Sequence, residues 1–329
     1  MRVRLMCRFT ITVFFLLLCV KGPVFAQEDL RVVVSAAMGE AMVDARYQRI
    51  LDKYGLPMPD FAATPALASP ERNRYPERVS GTLLNQVLDR RTLRIGWIGV
   101  GVPFSFVGPD STLQGLAIDL WPLVLEKLSM RYGKKIEPVY VEFTDATGNN
   151  NMYRQLSTDG DHHCAALRLA SPAICYDIIG GAYAFNEPRK RVSKFTAAYY
   201  PLNMSGVRTP VVLIGKDGKR IVLDTPQRIL AAAKNADNAM VFAALAATGE
   251  VQFLNELRQQ FGDTFKVVTR PPDSNILEFA QETPAHIVLG TNVRIYYTRV
   301  QTPQFCTRCE VVNDLLKFDG IGFATALPK

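Results

Sequence analysis

The sequence is short of the side chains that usually hold metal ions, because its 329 residues include three histidines and six cysteines. Two of the histidines, His162 and His163, are adjacent to each other and to Cys164, and neighbouring side chains rarely converge on one ion. A metal site that combines them with Cys175 is therefore disfavoured. The third histidine lies in the apolar run AHIVLG, which is typical of a buried strand. We predict no metal centre.

The sequence also lacks a basic cluster beyond its first 26 residues. It has 38 Lys and Arg against 31 Asp and Glu, which gives a formal charge of +7. Four of the basic residues lie within residues 1–26, so 34 against 31 remain in the rest of the chain. A nearly balanced chain without a Lys/Arg run has no electrostatic footprint for nucleic acid. Nucleic acid is therefore not a predicted partner.

The N-terminal apolar run is too short to cross a bilayer comfortably, since crossing takes about 20 residues. This run covers 12 residues, 9–20, follows three arginines and ends before Lys21 and Pro23. With a small residue at Ala26, the layout is that of a secretory signal peptide over residues 1–26. An uncleaved membrane anchor is the alternative. We expect a mature chain that begins near Gln27 and is periplasmic or secreted.

Beyond the leader, four cysteines are candidates for disulfides in an oxidising compartment: Cys164, Cys175, Cys306 and Cys309. All three pairings of four cysteines are open. Cys306 and Cys309 have the C-x-x-C spacing of redox motifs, but no Trp-Cys-Gly-Pro context surrounds them. We therefore favour a structural bridge over a working dithiol.

A glycine-rich loop follows an apolar strand pattern at residues 92–106 (TLRIGWIGVGVPFSF), which raises the possibility of a dinucleotide site. From Gly99 the loop reads GVGVPF, so Phe104 stands where the G-x-G-x-x-G fingerprint needs its third glycine. A phenylalanine there prevents the close helix–strand packing that the fingerprint requires. We predict no dinucleotide and no other cofactor.

Strand and helix patterns alternate from residue 92 and restart after residue 200, which predicts a mostly parallel sheet in each half. Residues 43–54 have a helical period, and residues 238–249 are also interpreted as helical. A helix is expected from residue 119, with Pro122 in its first turn. The predicted organisation is a signal peptide (1–26), an N-terminal extension and linker (27–87), a first α/β lobe (88–204), a second α/β lobe (205–315) and a return strand to the first lobe (316–329).

Four segments carry a shared resemblance: TLRIGWIGVGVPFSF at 92–106, LQGLAIDLW at 113–121, DIIGG at 177–181 with Glu187-Pro188-Arg189, Phe195 and Tyr199-Tyr200 after it, and GIGFA at 320–324. Together they resemble the family 3 extracytoplasmic solute-binding proteins, which have the periplasmic binding protein type II fold. The resemblance covers about residues 83–329 and implies an α/β fold of two hinged lobes with a cleft between them. Here an N-terminal helical extension precedes that fold. Family members continue with helices beyond the return strand, and we expect the helix at 43–54 to take their place against the first lobe.

The resemblance also implies a ligand site. Arg189 matches the arginine that holds a ligand carboxylate, and a guanidinium fork suits that group. The resemblance implies further ligand-site positions in the walls of the cleft, and some of them carry residues that are unusual for the family. These positions are Ile98, Gly101, Phe104, Gly181, Ala182, Ala184, Thr291 and Asn292. The second lobe has no carboxylate at 289–292, where members meet a ligand ammonium. We therefore expect a small, carboxylate-bearing solute other than an ordinary α-amino acid.

The implied role is solute delivery to an ABC-type permease, as in amino acid transport. An accessory or sensory protein with an eroded site, partnered by another envelope protein, is one alternative. A second alternative follows from TPQFC at 302–306, which is similar to a segment of the periplasmic cyclohexadienyl dehydratases. Residues 290–294, GTNVR, have an arginine where those enzymes carry a glutamate, and dehydration needs a carboxylic acid. We predict that the protein is not an enzyme and has no catalytic residues.

Overall fold

The computed structural model describes residues 28–60, 75–97, 100–142, 176–184, 190–191, 193–235, 240–246, 248–262, 265–271, 274–317 and 321–326. Within these ranges, the helices are α1 (Glu28–Met42), α2 (Ala45–Lys53), α3 (Leu83–Arg90), α4 (Leu116–Tyr132), α5 (Pro226–Asn235), α6 (Gly249–Phe261), α7 (Ile276–Glu282) and α8 (Asn292–Gln301). The strands are β1 (Thr92–Trp97), β2 (Val100–Gly101), β3 (Ser105–Val107), β4 (Leu113–Gln114), β5 (Glu137–Glu142), β6 (Ile178–Ala184), β7 (Ser193–Tyr200), β8 (Asn203–Arg208), β9 (Leu213–Ile214), β10 (Arg220–Ile221), β11 (Met240–Leu245), β12 (Phe265–Arg270), β13 (Ile287–Thr291), β14 (Glu310–Lys317) and β15 (Ile321–Ala326).

The structure contains two five-stranded sheets whose strands correspond position by position. The first runs β5-β1-β6-β15-β7 and the second runs β12-β11-β13-β8-β14. In each sheet one strand is antiparallel to both neighbours, β15 in the first and β8 in the second. Each of these strands is the first that the chain forms after it passes from the other sheet: β8 follows β7, and β15 follows β14. The predicted two-lobed α/β fold is confirmed: lobe 1 contains the first sheet with α1–α4, and lobe 2 contains the second sheet with α5–α8.

The N-terminal extension forms part of lobe 1. The side chains of α1 that face the lobe 1 core are fully buried, and the helix packs against α4 and β7. The predicted helix at 43–54 is present as α2, which begins after the N-cap Asp44 and also packs against α4. The sequence did not predict α1, because its segment EDLRVVVSAAMGEAM is apolar nearly all round and has no amphipathic period.

The prediction of a helix at residues 238–249 is wrong. Residues 240–245 form β11, the strand that lies between the parallel strands β12 and β13. A strand buried on both faces has a continuous apolar sequence, MVFAAL in this case, and periodicity cannot distinguish such a run from a buried helix. The correction moves the start of the following helix, α6, to Gly249.

Two further boundaries differ from the prediction. Helix α4 begins at Leu116, so Pro122 lies inside the helix and not in its first turn. Proline has no N–H to donate to the carbonyl four residues earlier, and Ile118 O instead accepts a hydrogen bond from Tyr140 OH at 3.3 Å. Residues 220–225 (RIVLDT), whose sequence predicts a strand, contain only the two-residue strand β10, which pairs with β9 in a hairpin.

Lobe 1 has one apolar core, to which the return strand β15 contributes directly. The ring of Phe323, on β15, stacks on Trp121 of α4 with centroids 4.1 Å apart, and its centroid lies 4.9 Å from that of Tyr199. Trp121 Nε1 donates to Gly180 O at 3.1 Å, which ties α4 to β6. Lobe 2 has a separate core on each face of its sheet. Within the described ranges, no helix combines the length and apolar character needed to cross a bilayer.

A buried ion pair holds β1 and β6 in register. Asp177, immediately before β6, has a fully buried side chain and forms salt bridges with Arg90 and Arg94. Its Oδ2 also accepts the backbone N–H of Arg94 at 2.8 Å. Since every acceptor of the carboxylate faces a cation or an N–H, the charge is compensated inside the lobe. This arrangement fixes the two strands whose carboxyl ends form one wall of the candidate site.

Candidate functional site

The candidate site lies where the carboxyl ends of the parallel strands of both lobes meet. Ligands of α/β sheets bind outside the carboxyl ends of the strands. In lobe 1 the loop after β1 continues into β3, and in lobe 2 the helix after β13 is α8. The rings of Phe106 on β3 and Tyr297 on α8 have centroids 6.1 Å apart. The two carboxyl edges therefore adjoin one another.

The lobe 1 wall is made of close-packed backbone at the end of β6. A Cβ on Gly180 would lie 2.1 Å from Ile95 Cγ2 and 2.5 Å from Trp121 Nε1. A Cβ on Gly181 would lie 2.7 Å from the Oγ of Ser105, which is fully buried. Glycine is thus required at both positions for β6 to approach β1 and the loop after it. This part of the wall offers backbone groups and no side chains.

The lobe 2 wall contains the N-termini of α6 and α8. Thr248 precedes α6, and its hydroxyl donates to Leu245 O at 2.7 Å and does not cap the helix. Glu250, 8% exposed, lies in the first turn of α6, where a negative charge is stabilised by the helix dipole. The first N–H groups of α6 therefore have no cap from Thr248, and Glu250 already supplies a negative charge beside them.

Thr291 is the N-cap of α8 and Asn292 is the first residue of that helix. Thr291 Oγ1 accepts the Arg294 N–H at 3.2 Å and so caps the helix. Asn292 Oδ1 accepts the N–H of Asn203 at 3.1 Å, which ties α8 to the crossing strand β8. Among the described residues, no acceptor takes the hydroxyl proton of Thr291 or the amide hydrogens of Asn292. These two side chains can therefore offer hydrogen-bond donors to a ligand.

The other predicted site residues divide into three groups. Arg189 and Ile98 lie outside the described residues. Ala182 and Ala184 lie on β6, and Gly101 lies on β2. Phe104 belongs to the core of lobe 1, since it is 4% exposed and packs edge-on against Tyr199. The Phe104 ring therefore packs beneath the wall and does not form the surface of the wall.

Sequence reasoning missed the residues at the start of α6, which are Thr248, Gly249 and Glu250. The cause was the interpretation of 238–249 as one helix, which hid the strand end where these residues lie. A signal was present, because an apolar run of six residues is followed within three residues by Thr-Gly-Glu and then by a helical period. That order is typical of a buried strand, a loop and a helix N-terminus.

The N-terminal extension also reaches the junction between the lobes. Tyr54, at the end of α2, lies with its ring centroid 6.1 Å from that of Tyr297 on α8. Tyr54 OH donates to Asp119 Oδ2 at 2.8 Å and accepts the Gly115 N–H at 3.0 Å. Burial, and then the Asp119 carboxylate, raise the pKa of Tyr54 far above its usual value, so the phenol stays neutral. The next residue, Gly55, lies against α8 so closely that a Cβ there would be 2.3 Å from Val300 Cγ2.

Two of the four candidate cysteines are joined in the structure. Cys306 and Cys309 form a disulfide in the turn between α8 and β14. Cys164 and Cys175 lie outside the described residues, as do His162 and His163. The third histidine, His286, is buried, and its Nδ1 accepts the Val241 N–H at 3.0 Å. The described part of the chain contains no group of three or more His, Cys, Asp or Glu side chains that could hold a metal.

No protein-family model matches the chain, and no curated protein matches it either. Among solved structures, the chain is similar to an ancestral cationic amino acid solute-binding protein, with 19% identity, a TM-score of 0.46, and coverage of 74% of this chain and 86% of that one. It is also similar to an ancestral arginine-binding protein bound to arginine, with 17% identity, a TM-score of 0.46, and coverage of 72% and 85%. A third similar structure is holo ArgBP from T. maritima, with 17% identity, a TM-score of 0.42, and coverage of 74% and 85%.

Proposed function

We propose that the protein is an extracytoplasmic solute-binding protein whose two lobes close on a small, carboxylate-bearing solute. The observation that carries this proposal is the topology of the two sheets, since each contains one strand that the chain reaches by crossing from the other lobe. The carboxyl edges of the two sheets adjoin at Phe106 and Tyr297. Two crossings side by side form a natural hinge, and domain closure around a ligand is a common use of such a hinge.

The chemistry of the walls supports a carboxylate as the recognised group. Thr291 and Asn292 are proposed as donors to this carboxylate, since their side-chain oxygens already accept hydrogen bonds and their side-chain hydrogens remain to be donated. Arg189 is proposed as the anchor from lobe 1 on the strength of its position in the sequence. Residues 289–292 contain no carboxylate, so a ligand ammonium at that position would lack a counter-charge, which is costly when the group is buried. We therefore propose a solute other than an ordinary α-amino acid.

The proposed setting is the periplasm or the cell exterior, with delivery of the solute to an ABC-type permease. Residues 1–26 support export, since their pattern is that of a signal peptide. The proposal includes no catalytic step, because residue 294 is an arginine where a dehydratase-like general acid would be expected.

A thermal-shift screen of the mature protein against a panel of small carboxylates, amines and sugars tests the proposal. A ligand at 100 times its Kd adds about 2.7 kcal/mol to the free energy of unfolding. For chains of this size about 2–4 °C accompanies each kcal/mol, so a shift of about 5–10 °C is expected for a carboxylate. Arg189→Ala should abolish the shift. Arg191→Ala removes a neighbouring exposed arginine and should leave the shift intact. A panel without any stabilising carboxylate, or equal loss in both variants, would overturn the proposal.

A second candidate function is an accessory or sensory role in which the lobes do not move. The contacts of Tyr54 and Gly55 with α8 favour it, because they join the N-terminal extension of lobe 1 to lobe 2 and so resist opening. Small-angle scattering separates the two functions. A transport protein should decrease its radius of gyration when solute is added, whereas a restrained accessory protein should keep the same value with and without solute.

A further inference from the structure

The turn between α8 and β14 contains a disulfide that the proposed function does not use. Cys306 is 9% exposed and Cys309 is half-buried, and both line a cavity of about 210 Å³ in lobe 2. The other lining residues include Leu277, Phe305 and Val311. A cavity of this size can admit a compound of a few heavy atoms directly to the sulfurs.

The fold of this turn does not depend on the disulfide. A bridge between residues three apart closes a very short loop, and the stabilisation from a bridge is smaller for shorter loops. Other bonds hold the same turn: Cys306 N–H donates to Gln281 Oε1 at 2.8 Å, and Cys309 N–H donates to Cys306 O at 2.9 Å. Strand β14 begins at the next residue and is paired with β8 from its first position. We expect the turn to keep its place when the bridge is opened.

The charges around the cavity favour a thiolate. Arg299, from the last turn of α8, is the charged side chain among the described residues that line the cavity, and no carboxylate lines it there. The adjacent acid, Glu310, is engaged by Arg208 in a salt bridge. A nearby guanidinium stabilises the thiolate form of a cysteine relative to the thiol and so promotes exchange.

From this geometry we propose that Cys306–Cys309 is a thiol–disulfide exchange site that accepts a small-molecule thiol in the cavity. The thiolate of the small molecule attacks Sγ of Cys309, the more exposed sulfur, and a mixed disulfide forms. The Cys306–Cys309 bond breaks, and its electron pair leaves on Cys306 Sγ, which is then protonated by solvent. A second thiol attacks the mixed disulfide, so that two small thiols become one small disulfide and the protein becomes a dithiol.

The test uses the full mature protein in its folded state, with dithiothreitol as the thiol. Samples are quenched with iodoacetamide at intervals, and mass spectrometry of the peptide containing residues 306–309 gives the rate of bridge opening. The expected rate in the folded protein lies within tenfold of the rate in protein unfolded by guanidinium. A folded-state rate below one-tenth of the unfolded rate, or loss of the circular dichroism spectrum when the bridge opens, would overturn the proposal. The measurement needs no solute, so it is independent of the proposed binding function.

A matched pair of variants tests the role of the cavity. Arg299→Gln removes the cation that lines the cavity and should slow bridge opening at least threefold. Arg308→Gln removes an equal charge from the exposed part of the same turn and should change the rate less than 1.5-fold. Equal slowing in the two variants would contradict a cavity-specific effect. In Cys306→Ser, glutathione disulfide should convert Cys309 to a stable mixed disulfide, and absence of that adduct would also count against the site.

Discussion

Replacement of Met38 by alanine measures how much α1 contributes to lobe 1. Met38 is fully buried in α1, which packs against both α4 and β7, so neighbouring elements on two sides limit collapse around the missing side chain. Met→Ala changes in cores reduce the free energy of unfolding by about 2–5 kcal/mol, and the restricted site suggests about 3 kcal/mol here. An α1 that merely lay on the surface of the lobe would give a much smaller value.

The assay is urea unfolding followed by tryptophan fluorescence. The sequence has two tryptophans, Trp97 on β1 and Trp121 on α4, and both belong to lobe 1, so the signal reports that lobe alone. The control is Val43→Ala, because Val43 lies between α1 and α2 and is 65% exposed. Its expected effect is within about 0.5 kcal/mol. If Met38→Ala and Val43→Ala differ by less than about 1 kcal/mol, the reasoning that places α1 in the core is refuted.

Three further predictions concern single sites. Gly55→Ala should lower the melting temperature more than Gly218→Ala, because both glycines have positive φ but only a Cβ at Gly55 meets another side chain, that of Val300. Asp177→Asn should destabilise lobe 1 by about 3–5 kcal/mol, since it removes the buried carboxylate that two partly buried arginines bind. Burial lowers the pKa of His286, so the unfolded chain binds its proton more readily. Stability from this residue is therefore complete above the ordinary histidine pKa of about 6.5 and decreases as the pH falls below it.

Each of these three predictions has its own check. Equal melting temperatures for the two glycine variants would show that residue 55 does not press on α8. Asp52→Asn, on the exposed face of α2 in lobe 1, is the control for Asp177→Asn in the tryptophan-fluorescence assay and should have no measurable effect. The protein should melt at a lower temperature at pH 5 than at pH 7.5, and His286→Gln should make this difference smaller. If the difference is the same in the variant, the loss of stability in acid comes from other groups.

Much of the fold could be predicted from the sequence because strands and helices of ordinary amphipathic pattern alternate along it. The exceptions are the elements buried on all sides. Helix α1 and strand β11 both have nearly continuous apolar sequences, and neither shows a period that reveals its type. Only their neighbours distinguish them: α1 is surrounded by helices and one sheet face, and β11 hydrogen-bonds to strands on both sides.

The candidate site was less predictable, because side-chain partners are set by contacts distant in sequence. The family resemblance predicts Thr291 and Asn292 as residues of one wall. Their capping and bridging roles could not be predicted, since Asn292 is bonded to Asn203, 89 residues earlier in the chain. Likewise, the contact of Gly55 with Val300 could not be foreseen from a local pattern. The structure adds which atoms of Thr291 and Asn292 already accept hydrogen bonds.

The strand order has a consequence for how the chain is made. All strands of the second sheet lie between residues 203 and 317, so that lobe can finish folding as a continuous stretch. The first sheet is different, because β15 is inserted between β6 and β7 and carries Phe323 into the stack with Trp121. A chain that ends at residue 320 would therefore contain every strand of the second sheet but would lack β15 of the first. Lobe 1, most of which is synthesised first, is thus the lobe whose sheet is completed last.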